Sequence, residues 1–339
     1  KMNLLLMSSF PLQETSTNFL RCIIECYLIK LTRLKVGKYQ KRNFEIRNIM
    51  QSKIEKIYRI AKNLWAVLLG MLSIVLVFVS WDDLAFTDSC DRLLVLLCII
   101  LVVLALSILW VLISDTECVW KRGASKIIVM YGDILKMAQK NLWYRRTQQP
   151  KIIVIPVNTN FDTIVDNQTV PYPLVSKKTI HGKWLLQYAD EMNKTPEQIE
   201  QKIFAFLDAK HVAFEPVDRP RGSQRKYPAG TCAMLQGNNN VSFLLLALSE
   251  FDEHNTAHAT KEGLISALYS LVEFINQQSQ GVDCFMPLLG TGLSRTGLTH
   301  KESLHTILST LDLYNDQIIG RISVVVYGGD KSNVSIYDR

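Results

Sequence analysis

Along the first third of the chain, apolar positions stop alternating with polar ones. Leu64–Trp81 and Leu93–Ile113 contain no Lys, Arg, Asp or Glu. A helix needs about 20 apolar residues to cross a hydrocarbon core, so the pattern predicts transmembrane helices over 64–81 and 93–113. Trp65, Trp81 and Trp110 lie near the ends of these runs, where indole rings favour the membrane interface. The stretch between them carries Asp82, Asp83, Asp88 and Asp91 against Arg92, while Lys53, Lys56, Arg59, Lys62, Lys121, Arg122 and Lys126 flank the outer ends. The positive-inside bias then puts both termini in the cytosol and the acidic loop outside. With no ionisable residue inside either span, the hairpin offers no proton relay of its own. Two helices cannot enclose a pathway, so any pore must be built by several chains.

Beyond the second span the pattern changes to short β-rich runs separated by amphipathic stretches. Strands are expected at Lys126–Tyr131, Lys151–Val157, Gly230–Leu235, Val241–Leu248, Val282–Pro287 and Ile322–Tyr327. Most are nearly continuous apolar runs, as strands covered on both faces should be. Helices are expected at Leu135–Arg145, Pro196–Ala209, Lys261–Gln278 and Lys301–Leu313. Thr195, Pro196 and Gln198 supply an N-cap, a first-turn proline and a capping box for the second of these. Alternating strands and helices predict a three-layer α/β/α sandwich. The chain therefore divides into a basic N-terminal extension (1–49), a membrane region (50–122) and an α/β domain (123–339).

Charge changes this picture in one respect. The 339 residues carry a net charge of +7, yet residues 1–49 hold nine Lys/Arg against three Glu, so six of those charges lie there. The α/β domain is nearly neutral, which argues against nucleic acid as a partner. The chain opens on Lys1, and Met50 begins a basic amphipathic stretch leading into the first span. Residues 1–49 are thus either upstream sequence outside the native protein or a basic helix lying on anionic lipid. The seven cysteines show no paired CxxC spacing, so no metal site is expected.

Candidate chemistry gathers at strand ends. Gly290–Thr291–Gly292, continuing through Leu293 and Ser294, follows an apolar strand, and glycines there let backbone amides approach a phosphate. Asn158 and Asn160 end another strand, where amides can bind ribose hydroxyls or simply form a turn. Asp133, followed by Ile134, ends the first strand; its carboxylate can accept from a base amino group or cap a helix. Thr179 and His181 sit in a T-I-H-G loop with no acidic or thiol partner nearby, so a ligand or backbone contact is expected rather than catalysis. Tyr327 ends the last strand and can stack on a base or pack at an edge. The basic run Arg219–Lys226 is expected as a solvated loop.

These elements together resemble the macro domain, an ADP-ribose-binding fold, over roughly Lys126 to Arg339. Gly132–Asp133–Ile134 is similar to the family's G-D-I segment, which implies that Asp133 binds the adenine amino group. Val157–Asn158 resembles the start of its V-N-A-A-N strand end near the distal ribose, and Pro287–Leu293 its second phosphate loop. Tyr327 falls where the family often stacks an aromatic ring on adenine. The N-T-N spacing is one residue shorter than the family's. Its triple-glycine first loop is absent, with S-K-K-T-I-H-G in that region, so the resemblance implies a binding protein with no catalytic residues rather than a hydrolase. An additional stretch near 167–219 is expected to reshape the distal-ribose end.

A two-span hairpin fused to such a domain, with I-P-V-N-T-N-F-D at Ile155–Asp162 and T-I-H-G at Thr179–Gly182, is similar to the membrane effectors of Thoeris-type antiphage systems. That resemblance implies a multi-pass protein of the bacterial inner membrane acting in antiviral defence by abortive infection. A separate TIR-domain enzyme that consumes NAD would be its functional partner, supplying an ADP-ribose-derived ligand, histidine-ADP-ribose in the variety with such effectors. No cofactor is implied. Ligand binding would drive homo-oligomers that disrupt the lipid bilayer. Two alternatives are a membrane-tethered ADP-ribosyl hydrolase and a scaffold that recruits ADP-ribosylated targets.

Overall fold

The computed structural model describes residues 40–78, 88–139, 149–166, 173–252, 256–278, 281–291 and 296–338. The chain forms two compact units, Lys1–Ser114 and Asp115–Arg339.

The first unit is a helical hairpin of α1 (Gln40–Phe78) and α2 (Ser89–Ile113), packed on each other. At 1.5 Å per residue they are about 58 and 38 Å long. The basic stretch before the first apolar run is therefore a continuation of the same helix. Trp81 and most of the acidic loop lie outside the described residues. Two segments, Ile49–Val75 and Cys90–Ile113, are long and apolar enough to cross a membrane. Large apolar side chains point outward along both, with Val77 76%, Leu93 70% and Leu112 70% exposed. So broad an apolar surface is rare on a protein bathed in water. The serine hydroxyls within the spans bond back to their own helices, Ser73 to Leu69 O at 2.8 Å and Ser107 to Val103 O at 2.7 Å. Such internal satisfaction is what hydrocarbon demands of a polar group.

The second unit begins with β1 (Thr116–Arg122), β2 (Ser125–Gly132), α3 (Ile134–Gln139), β3 (Lys151–Asn158), β4 (Val165–Asp166), β5 (Val175–Ser176), α4 (Ile180–Met192) and α5 (Pro196–Ala209). It continues through β6 (Glu215–Pro216), β7 (Arg225–Lys226), β8 (Cys232–Gln236), β9 (Val241–Phe251), β10 (Ala257–His258), α6 (Lys261–Gln278), β11 (Asp283–Pro287), α7 (His300–Leu313) and β12 (Arg321–Tyr327). The main sheet runs β1-β2-β12-β11-β3-β9, with β8 and β10 both on the outer side of β9. Strands β2, β12, β11, β3 and β9 are parallel; β1, β8 and β10 are antiparallel to their neighbours.

Side-chain alternation sends the two faces of this sheet into two cores. Ile153, Ile155 and Val157 of β3 join Phe243 and Leu245 of β9 against Trp184, Tyr188, Ile199 and Ile203 of α4 and α5. Ile152, Val154, Leu244 and Leu246 are also buried, as are Leu264, Leu268, Leu271 and Ile275 of α6, which packs on β8, β9 and α7. The three-layer sandwich read from the sequence is the architecture observed.

Besides the two-residue strands β4–β7 and β10, three elements differ from the expectation. Strand β1 was not anticipated: its charged, alternating T-E-C-V-W-K-R sits at a sheet edge and breaks register between Cys118 and Trp120. A bulge and charge are what protect an exposed edge. Helix α4 was not anticipated either, so Thr179 and His181 are not in a loop. Thr179 is the N-cap of α4 and its side chain accepts from Gly182 N. Only Ile134–Gln139 of the helix expected at Leu135–Arg145 is described as α3, and residues 140–148 lie outside the described set. The additional stretch expected near 167–219 is described from residue 173, and it holds α4 and α5, whose inner faces belong to the core.

Candidate functional site

The five parallel strands end on one edge, and the predicted site residues follow those ends. Gly132 lies opposite Tyr327, which places Asp133, just after β2, beside the end of β12. Leu288–Thr291 follows β11, and Asn158–Asn160 closes β3. Along the edge the order is Asp133, Tyr327, the glycine loop, then Asn158, about 14 Å across at roughly 4.8 Å per strand step.

The sheet opens within this edge. Pairing of β11 with β3 stops at Phe285 and Ile153, although β11 runs to Pro287 and β3 to Asn158. Two prolines explain why. Lys151 N and Thr159 N bond to the β9 side, so even-numbered amides of β3 face β11, and Pro156 has no amide to give. Leu288 N bonds to Val325 O of β12, so odd-numbered amides of β11 face β3, and Pro287 likewise lacks one. Both missing donors fall in the same gap. The chain order also reverses there, since β3 is followed in the sheet by β9 on one side while β11 is followed by β12 on the other. A crevice at such a switch point is where α/β sheets place ligands.

The glycine loop forms one wall. Gly290 has φ +84°, and a Cβ there would lie 3.1 Å from the Thr296 side chain. Thr296 Oγ1 donates to Gly290 O at 2.7 Å, and Ser303 Oγ donates to Leu289 O. Two carbonyls of the loop are thus held by hydroxyls that follow it in sequence, which fixes its path. Thr291 is half-buried; Gly292, Leu293 and Ser294 lie outside the described residues.

At the open end, Asp133 accepts from Leu135 N at 3.0 Å and so caps α3. Ile134 turns its side chain into the core, leaving only its backbone for any ligand. Tyr327 is 59% exposed, and a Cβ on Gly329 would meet its ring at 2.6 Å. That glycine keeps space beside the aromatic face.

The β3 end is different in kind. Asn158 donates from Nδ2 to Asp162 Oδ2 at 2.6 Å and accepts at Oδ1 from Asp162 N at 3.0 Å. Asn160 donates to Arg225 O at 3.1 Å. The fully buried Asp162 carboxylate also accepts from Ser223 N at 2.8 Å and pairs with Arg219 at 3.1 Å. Close approach is possible because residue 222 is glycine, φ +85°, where a Cβ would sit 2.4 Å from Asp162 Oδ1. Arg221 is bidentate to Asp166 at 2.9 and 3.1 Å. The basic run is therefore not a solvated loop at its start; Arg219 pairs with the buried Asp162 and Arg221 with the half-buried Asp166. Asp162 and Arg219 were not among the expected site residues. Their signal, an Asp four residues after Asn158, depends on a partner 57 residues away.

Helix α4 brings Thr179 and His181 toward this end. Its far end lies near the start of β9, where Asn238 bonds to Glu191 O, so its N-terminus lies toward the carboxyl edge. Thr179 donates to Ser176 O at 2.7 Å and accepts from Gly182 N at 2.9 Å. His181 is buried and stacks on Trp184 with ring centres 6.3 Å apart. Burial pushes its pKa down to about 3, so the imidazole is neutral at physiological pH. Trp184 Nε1 and Thr159 Oγ1 are buried with no hydrogen-bond partner. No group of three or more His, Cys, Asp or Glu suited to a metal occurs among the described residues. Burial also pushes the Cys232 thiol up to about 12, which makes it a poor nucleophile.

Comparison with known proteins follows this geometry. The sequence profile described as Thoeris protein ThsA, Macro domain matches residues 127–327. The chain is 26% identical to the Thoeris protein ThsA of Bacillus amyloliquefaciens (strain Y2) over 285 residues, 80% of this chain and 86% of that protein. That share exceeds what Asp115–Arg339 alone can supply, so the likeness reaches into the helical hairpin. Among solved structures it is similar to the Oceanobacillus iheyensis macrodomain with ADP (12% identity, TM-score 0.41, 66% of this chain and 94% of that one). It is also similar to the Trypanosoma brucei macrodomain in complex with ADP-ribose (11%, TM-score 0.35, 62% and 67%). On the profile match, which spans more than half of its length, the chain belongs to the Thoeris ThsA macro-domain family.

Proposed function

We propose that this protein is a ligand-gated membrane effector of antiphage defence whose macro domain binds an ADP-ribose-derived signal. Adenine would lie between Asp133 and Tyr327, the diphosphate over the loop 288–294, and the distal ribose at Asn158. A conjugated group, proposed to be histidine, would extend toward Thr179 and the neutral His181. The observation that carries this reading is the order of those residues along one opened edge of the sheet. Membership of the ThsA family supports an ADP-ribose-type ligand. The outward-facing apolar hairpin supports a membrane output.

Binding rather than turnover is the activity proposed. The segment Ser176–Gly182 is spent on a capped helix start in place of a glycine-rich loop, and His181 is buried away from water. A ligand can act only through different affinities for a resting and an assembled state. The bilayer would then be breached by several hairpins together, the signal being made by a separate TIR-domain enzyme.

The test combines calorimetry with product analysis on the full chain in detergent. Histidine-linked ADP-ribose is expected to bind stoichiometrically, to be recovered intact and to raise the particle mass. Recovery of ADP-ribose and free histidine would establish a hydrolase instead, and binding without a mass change would remove assembly from the account.

A further inference from the structure

Two chain segments frame the proposed adenine end, the close of β2 and the turn after β12. Both attach to one residue, Asp115. Tyr131 N, two residues before Asp133, donates to Asp115 O at 2.9 Å. Lys331, four residues after Tyr327, reaches the Asp115 carboxylate at 2.8 Å. The two segments also hold each other. The Lys331 ammonium lies 4.7 Å from the centre of the Tyr131 ring. Tyr131 Oη donates to Val334 O at 3.1 Å and accepts from Ile336 N at 3.2 Å.

The rest of this C-terminal strap is equally tied down. Val334, Ser335 and Ile336 are almost fully buried. Asp330 faces His300 at 3.5 Å and Asp338 faces Lys301 at 3.8 Å. Those two residues start α7, the helix that follows the glycine loop. The strap thus continues from the strand end bearing Tyr327 and touches the end of β2, the helix after the loop and, through Lys331, Asp115. On the other side of Asp115 comes Ser114, whose amide caps α2 by donating to Trp110 O at 2.9 Å. One residue, Ser114, separates the node from the end of α2.

We propose that Asp115 is a positioning residue that couples occupancy of the carboxyl edge to α2, with Tyr131 and the 327–338 strap as its two arms. This rests on the ligand reading above. A ligand seated between Asp133 and Tyr327 contacts the two arms where they emerge from the sheet. It thereby favours one arrangement of both at Asp115, and with it one arrangement of the Ser114 cap. Coupling in this form needs an element with two states that the ligand distinguishes. The Lys331–Asp115 pair suits that role because it is half-exposed, so it contributes little to folding and can be exchanged cheaply.

The experiment uses the full chain in vesicles of phosphatidylethanolamine and phosphatidylglycerol, with ADP-ribose as probe and amide hydrogen exchange as the readout. In the unmodified chain, saturating ADP-ribose is expected to slow exchange at Tyr131 and Ser114 by about fivefold or more. Lys331→Glu should keep ADP-ribose affinity within about threefold, since exposed pairs are weak, but lose the response at Ser114. The swap Asp115→Lys with Lys331→Asp should restore it. Two results overturn the coupling: a Ser114 amide that ignores bound ADP-ribose, or one that responds equally in Lys331→Glu. Failure of ADP-ribose to bind at all overturns the ligand reading and this inference with it. Exchange coupling without any vesicle leakage overturns the effector output and leaves the node in place.

Discussion

The two ends of the carboxyl edge are built on opposite terms. Around Asn158 and Asp162 nearly every polar group is buried and already bonded, so geometry is set before a ligand arrives. Asp133 and Tyr327 are themselves half and mostly exposed, although the segments beneath them are tied together. A pre-set end suits a sugar, which is recognised by fixed hydrogen-bond directions. An exposed aromatic suits a flat base, which needs area more than direction. Substitutions at the first end should therefore cost folding, and substitutions at the second should cost binding alone.

The largest effect is expected from Asp162→Ala. It strands the Arg219 guanidinium and the Ser223 amide inside the protein, and breaking a buried pair in this way costs about 3–5 kcal/mol. Thermal or urea unfolding of the chain should show it, and a loss under about 1 kcal/mol, the level of an exposed pair, would break the contrast. Gly182→Ala comes next. A Cβ at Gly182 would lie 2.2 Å from the Ser176 carbonyl oxygen. That neighbour is backbone and cannot swing aside, so a cost of about 1–3 kcal/mol is expected.

A pH effect sharpens the same end. His181 ordinarily titrates at 6.5 but is held neutral down to about 3 by burial. Between those values the unfolded chain takes up a proton that the folded chain refuses, so stability falls as pH drops. The slope for this one group approaches about 1.4 kcal/mol per pH unit. Comparing unfolding of the protein and of His181→Gln from pH 7 to 5 isolates it, because the variant should lose that part of the slope. Smallest in stability is Tyr327→Ala, expected within about 0.5 kcal/mol of the unmodified chain. Its ADP-ribose affinity should nevertheless fall by about tenfold, since stacking on a base is worth about 1–3 kcal/mol. Calorimetry that finds unchanged affinity would remove Tyr327 from the site.

How far the sequence discloses this contrast depends on the distance between partners. Central strands such as β3 and β9 are legible because burial on both faces leaves a continuous apolar run. Strand β1 is not, since an edge needs charges that erase the pattern. Helix α4 was overlooked because Ser176–Gly182 looks like a turn, yet His181, Trp184, Leu185 and Tyr188 fall at helical spacing behind a threonine N-cap. At the exposed end the positions were readable, as Asp133 and Tyr327 sit at local strand ends. The buried end was readable only in part: Asn158 and Asn160 fall at the close of β3, but Arg219 looks solvated until Asp162 is brought against it. The opened edge itself was written in Pro156 and Pro287, but only pairing shows that both lost amides face one gap.

The hairpin adds a third term to the comparison. Most of the large apolar side chains on its described spans face outward, and Ser73 and Ser107 bond to their own helices. In the function proposed above, its output is triggered by ligand at the macro domain and achieved by several chains together. The most direct test is dye release from vesicles holding the full chain, titrated with histidine-linked ADP-ribose. The account predicts release that appears only with ligand, rises more steeply than linearly with chains per vesicle, and needs about tenfold more ligand in Tyr327→Ala, matching the lost stacking. Release without ligand, or none at saturating bound ligand, would contradict it.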